Sequence, residues 1–215
     1  MDNCFGLMPV KPRERIISTA RELFRKCGLR GVGVDAIAEA AGTNKMTLYR
    51  HFGSKDELVC ECLRDVARDV ELMWSEVEAA HPGNPLAQLH AWIRIGAECS
   101  NSNDGRGCDM ANAAVELAEI DHPARQLIEE FKRKQRDRLA QLAQEAGVTE
   151  SELLADTLVL LLEGARVSRQ SVGAEGPCAQ FITSAEAVIA SFLHKSGDGK
   201  PARATKPATQ TAKAP

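Results

Sequence analysis

The 215-residue chain predicts an all-α protein. Long stretches repeat apolar residues at three- and four-residue spacing, and glycine and proline punctuate them. No segment alternates apolar and polar residues for long enough to make a convincing strand. About nine helices are expected from this pattern, three short ones at the N-terminal end and a longer helical region behind them.

The first helix reads RERIISTARELFRKCG. Ile16, Ile17, Ala20, Leu23, Phe24 and Cys27 fall at helical spacing, and Gly28 supplies a stop. DAIAEAAG follows, with Ile37 and Ala41 four residues apart and Gly42 at its end. The third helix spans about Lys45 to Phe52. The fourth opens at Ser54 with Glu57 three residues on, a capping-box spacing, and runs long through Leu58, Cys62, Leu63, Val66, Val70, Met73 and Val77. After HPGNP a fifth helix runs from about Pro85 to Cys99, and NSNDGRG breaks the chain. A shorter helix covers about Cys108 to Ala118. Asp121-His122-Pro123 starts the seventh, which reaches Ala146. Thr149 with Glu152 repeats the capping-box spacing and opens the eighth, and Gly176-Pro177 opens the last, through Phe181, Ile182, Ala185, Ile189 and Phe192. Residues 196–215 hold no large apolar side chain and read as a disordered tail.

Composition bounds the function. No run of ~18 apolar residues exists to span a membrane, and the first residues lack the apolar core of a signal peptide. The seven cysteines, an odd number without framework spacing, point to free thiols in a reducing cytoplasm. Charge is uneven: from Lys11 to Arg64 there are 11 Lys/Arg against 7 Asp/Glu, and the remainder is acidic. A basic front suggests a polyanionic partner. No nucleophile–base–orienter set, metal-ligand spacing or Gly-rich phosphate loop is present, so neither an enzyme nor a cofactor is expected. Cys60 and Cys62 are two apart and point to different faces of a helix, which is poor metal geometry.

The stretch AGTNKMTLYRHFGSK, residues 41–55, carries many polar side chains for its length. Two short helices joined by a turn containing Gly42 make a helix-turn-helix pattern. Such a unit is too small to stand alone. The first helix supplies a platform, Leu48 and Phe52 rest on it, and the opposite face is free to enter a DNA major groove. Asn44 caps the helix, and its amide end favours phosphate. Lys45 and Arg50 bring charge, and Thr47 and Tyr49 bring hydroxyls. Lys55, at the start of the fourth helix, flanks them. The chain therefore divides into a DNA-binding domain over 11–56, a helical domain over 57–195 and the tail.

Residues from about Arg13 to Leu63 resemble the N-terminal domain of the TetR family of bacterial transcriptional regulators. The resemblance rests on AxxLFxxxG (Ala20 to Gly28), IAxxAG (Ile37 to Gly42) and TLYxHFxSKxxL (Thr47 to Leu58). It implies that Thr47, Tyr49 and Lys55 touch the DNA backbone. It also implies that Asn44, Lys45 and Met46 lead the recognition helix, and that His51 is structural or backbone-contacting. Two positions depart from the family pattern. Met46 stands where glycine is frequent, and VGV (residues 32–34) replaces a Thr or Ser pair, so that Gly33 can cap without a hydroxyl. The resemblance further implies a ligand-binding and dimerisation domain behind the head. The expected protein is then a repressor that leaves a palindromic double-stranded DNA operator when a small-molecule effector binds.

The last two helices carry the broadest apolar faces and are the expected homodimer interface, with Leu158 and Ile189 on it. Trp74, Trp92, Met110 and Phe131 are either pocket-lining or core. Arg166 is either an anchor for an anionic ligand or a solvated edge residue. Cys108 follows Arg106 near a helix start, where a cation and the helix dipole favour thiolate. It is either a small core thiol or, as in some regulators of this kind, a sensor of oxidants or electrophiles.

Overall fold

The computed structural model describes residues 11–102, 107–119 and 121–198. Among them are nine α-helices and no strand: α1 Pro12–Cys27, α2 Val34–Ala40, α3 Lys45–Phe52, α4 Lys55–Ala80, α5 Pro85–Ser102, α6 Asp109–Glu116, α7 Pro123–Glu145, α8 Ser151–Val172 and α9 Phe181–Asp198. A 3₁₀ turn, Pro177–Gln180, precedes α9. The helix after Gly176-Pro177 thus begins one turn later than the sequence suggested. The expected tail lies, from residue 199 on, outside the described residues, and α9 runs beyond residue 195. No helix among the described residues is long and apolar enough to cross a membrane.

Two apolar clusters form the interior. The first joins α1–α3 to the front of α4 and takes in Met110, Ala113 and Leu117 from the α6 segment and Ala124 and Ile128 from α7. The second packs the rear of α4 against α5, the rear of α7, α8 and α9. α6 therefore belongs, by burial, with the head.

The two capping predictions resolve differently. Ser54 Oγ accepts the Glu57 amide at 3.0 Å, worth about 1 kcal/mol to a helix start. The Glu57 carboxylate does not fold back on the cap. It pairs with Arg64 at 2.8 Å, because a cation seven residues on offers more than a neutral amide. At α8 the cap position is Glu150, with no side-chain cap, and α8 begins at Ser151. Glu152 is drawn instead to Arg136 of α7, which also binds Asp156 at 2.7 Å.

Candidate nucleic-acid interface and adjoining cavity

α3 is held by two side chains. Leu48 and Phe52, one turn apart, are buried. The pairs Lys45/Tyr49 and Met46/Arg50 repeat the four-residue step on the outer face and are exposed. Met46 is 78% exposed, far from a packing role. Asn44 Oδ1 accepts the Thr47 amide at 2.9 Å and fixes the start of the helix. Thr47 is half-buried on the flank and His51 exposed at the far end. Gly33 is the N-cap of α2 in extended backbone, with open space around it.

Ion pairs temper the basic face. Lys45 Nζ is 3.1 Å from Asp35 of α2. Lys55 is half-buried and donates to the Leu29 carbonyl at 2.6 Å, so it tethers the α1–α2 loop. Arg13 pairs with Glu61, and Arg21 binds Asp65 at 2.5 Å and Asp69 at 2.7 Å, so α1 is clamped to α4. Arg15 donates to the Ala41 carbonyl at 2.7 Å and closes the end of α2. Much of the charge counted in the sequence is thus spent inside the head. Among the described residues Arg50 makes no ion pair and stands exposed on the outer face of α3.

The head is fastened to α6 by contacts that sequence spacing does not reveal. Arg25 reaches Asp109 with two bonds, 2.9 and 3.2 Å. Glu116 accepts the Leu29 amide at 2.6 Å, lying over Gly28, whose φ of +79° and crowded surroundings (a Cβ would meet the carboxylate at 2.9 Å) exclude a side chain. His122, buried at the cap of α7, has Nε2 at 3.6 Å from Asp56 of α4.

Behind the head a cavity of about 310 Å³ opens between α4, α5, α7 and α8. Its volume is in the range of small-molecule sites. Val66, Met73, Trp92, Ile95, Phe131 and Val159 form apolar walls. Arg21 and Arg25 of α1 and Asp109 of α6 reach it from the head side. Of the side chains nominated from sequence, Trp92, Phe131, Arg166 and Cys108 face this space. Trp74 and Met110 do not. Trp74 is core: it donates its indole N–H to Gln135 Oε1 at 2.6 Å and lies under Arg138. Met110 is buried in the cluster beneath the head. Lys132, Glu163 and Gln135 line the cavity and were missed. The one available signal was Glu163 and Arg166, three apart in the apolar run LVLLLEGAR.

The cysteines separate by environment. Burial pushes the Cys62 thiol up to about 12 and the Cys60 thiol upward. Both are packed in the core and poorly placed to react. Cys108 is half-buried, with Sγ 3.7 Å from Lys132 Nζ, and Cys99 lines the same cavity.

The family model for bacterial regulatory proteins of the tetR family matches residues 16–62, the span that builds α1–α3 and their platform. Over nearly the whole fold, the chain is similar to a solved TetR-family transcriptional regulator from Streptomyces coelicolor. The TM-score is 0.78 at 26% identity, over 84% of this chain and 95% of that one. The N-terminal domain of this chain is a tetR-family DNA-binding domain. Among curated relatives, it is 24% identical to the transcriptional regulator LmrA of Bacillus subtilis over 71% of this chain and 82% of that protein. It is 38% identical to the repressor KstR2 of Rhodococcus jostii over 32% of this chain and 33% of that protein. This TetR-family protein is accordingly a DNA-binding transcriptional regulator of the repressor type, not an enzyme.

Proposed function

We propose that this TetR-family protein is a ligand-responsive repressor. It binds a roughly palindromic operator as a homodimer in the cytoplasm and releases it when a small molecule enters the cavity. One observation carries the reading. The cavity is walled by the body helices and by α1, and its Asp109 grips Arg25 in two bonds, so an occupant presses on the helix that carries the head. A ligand acts this way only if it binds the released state more tightly.

In this reading the DNA-binding domain of residues 11–56 grips through Gly33, Asn44, Lys45, Met46, Thr47, Tyr49, Arg50, His51 and Lys55. Lys45, Met46 and Arg50 are aimed at base edges, and Thr47, Tyr49 and Lys55 at phosphates. Residues 57–195 hold the effector and a second copy. The support for dimerisation is the outer face of α8, where Leu153, Leu160 and Val167 are exposed at seven-residue intervals with Gly164 between them.

The test is an operator obtained by binding-site selection and followed by anisotropy. Val159→Trp, which fills the cavity from α8, should bind operator as the wild type does and ignore whatever small molecule releases the wild type. Release of both proteins alike would sink the proposal.

A thiol switch is the second reading, favoured by the exposure of Cys108 to the cavity beside Lys132. Mass mapping after peroxide, with Cys108→Ser as control, separates it from reversible ligand release.

A further inference from the structure

The charges around the cavity are not evenly matched. On the head side, Arg21 is shared by Asp65 and Asp69, and Arg25 is held by Asp109. On the opposite side, Lys132 of α7 and Arg166 of α8 both point at one carboxylate, Glu163, at 2.6 and 3.2 Å. Among the described residues, two cations against one anion leave a positive surplus there. Arg166 is mostly buried, its side chain 19% exposed, and a buried charge is costly unless it is matched. Nearby, the Gln135 carbonyl accepts from Trp74, while its buried Nε2 has no hydrogen-bond partner among the described residues. A buried donor without an acceptor is uncommon in folded proteins. The cavity wall thus presents positive charge at one end, and aromatic and aliphatic surface from Trp92, Phe131 and Met73 along the rest.

We propose that the cavity takes a small organic monoanion: a compact or flat apolar body bearing one carboxylate, which sits between Lys132 and Arg166 beside Glu163. Two carboxylates then face two cations, and the apolar body lies against Trp92 and Phe131. A cationic ligand would enter beside two cations that already outnumber their counter-ion. A neutral one would leave the surplus unmatched. This assignment rests on the ligand-responsive reading and specifies its ligand class.

Three probes of one shape test it on the full-length protein by calorimetry: 2-naphthoate, 2-naphthamide and 2-naphthylmethylammonium. Naphthoate should bind at least about tenfold more tightly than either of the others, the usual scale for one matched buried charge. Arg166→Gln should abolish that preference while leaving amide binding and the melting temperature nearly unchanged. Glu163→Gln should strengthen naphthoate binding, since it removes the competing carboxylate. Equal binding of acid and amide, preference for the ammonium, or an Arg166→Gln loss shared by all three probes overturns the anion assignment alone. No binding of any probe at millimolar concentration overturns the ligand-responsive reading with it.

Discussion

Lys45 and Asp35 set the tone at the scale of single residues. The lysine leads the outer face of α3, yet its ammonium is 3.1 Å from a carboxylate on α2. Contact with DNA requires that it leave Asp35 or share it. Exposed pairs of this kind are weak, so the exchange is cheap, but Asp35 also repels the DNA backbone. Asp35→Asn should therefore tighten binding to all DNA sequences and steepen the salt dependence by about one counterion. Anisotropy across a salt series measures both. Unchanged affinity and slope would mean that Asp35 neither holds Lys45 back from the DNA nor repels the backbone.

Helix α8 shows how one element serves two surfaces. Leu154, Leu158 and Leu162 are buried against the body, whereas Leu153, Leu160 and Val167 point outward. Leu158 and Ile189, nominated from sequence as interface residues, are 0% and 1% exposed in the single chain. They are core, because α7 and α5 of the same chain pack on the inner side of the α8–α9 pair. Leu160, 72% exposed, is the informative position. Leu160→Asp should give a monomer with wild-type helicity and weak operator binding. Leu158→Asp should instead cost several kcal/mol of folding stability, the penalty of an unpaired buried carboxylate. Sedimentation velocity and circular dichroism on the two variants separate the outcomes. A dimeric Leu160→Asp would move the interface off α8.

The whole molecule is two apolar clusters, and within the first a charged seam binds α1 to α4 and α6. Arg13–Glu61, Arg21–Asp65 and Arg25–Asp109 lie along it. Burial alone would raise the Asp65 carboxyl, but the hydrogen bonds and charges of Arg68 and Arg21 outweigh it and hold its pKa below the usual value. Glu61 behaves likewise between Arg64 and Arg13. Carboxylates with depressed folded-state pKa values stabilise the fold above their unfolded values, about pH 4, and that contribution is lost as pH falls through the folded values. The urea midpoint should therefore hold from neutrality to about pH 5 and drop below pH 4. Asp65→Asn should lower the neutral midpoint and make the acid drop shallower. A variant with the wild-type acid profile would show that the seam does not govern acid stability. Both tryptophans lie in the body cluster, so their fluorescence follows that half.

The sequence by itself determined the all-helical class, the order of the helices and the recognition helix. These are local properties: periodicity, caps and glycine stops act within a few residues, and Leu48 and Phe52 leave only one face of α3 outward. It also singled out Trp92 and Phe131 as pocket or core, Arg166 as anchor or edge residue and Cys108 as sensor or core thiol, and all four line the cavity. The tertiary structure decided what depends on which helix packs against which. It sent Trp74 and Met110 into the core. It spent Arg13, Arg15 and Arg21 inside the head instead of leaving them for a partner. It brought Asp109 and Glu116 to α1 and its loop across more than eighty residues of chain, and it set Lys132 and Arg166 on one carboxylate. A charge count cannot see such pairs, because an ion pair between two helices depends on their packing and leaves no fixed spacing in the sequence.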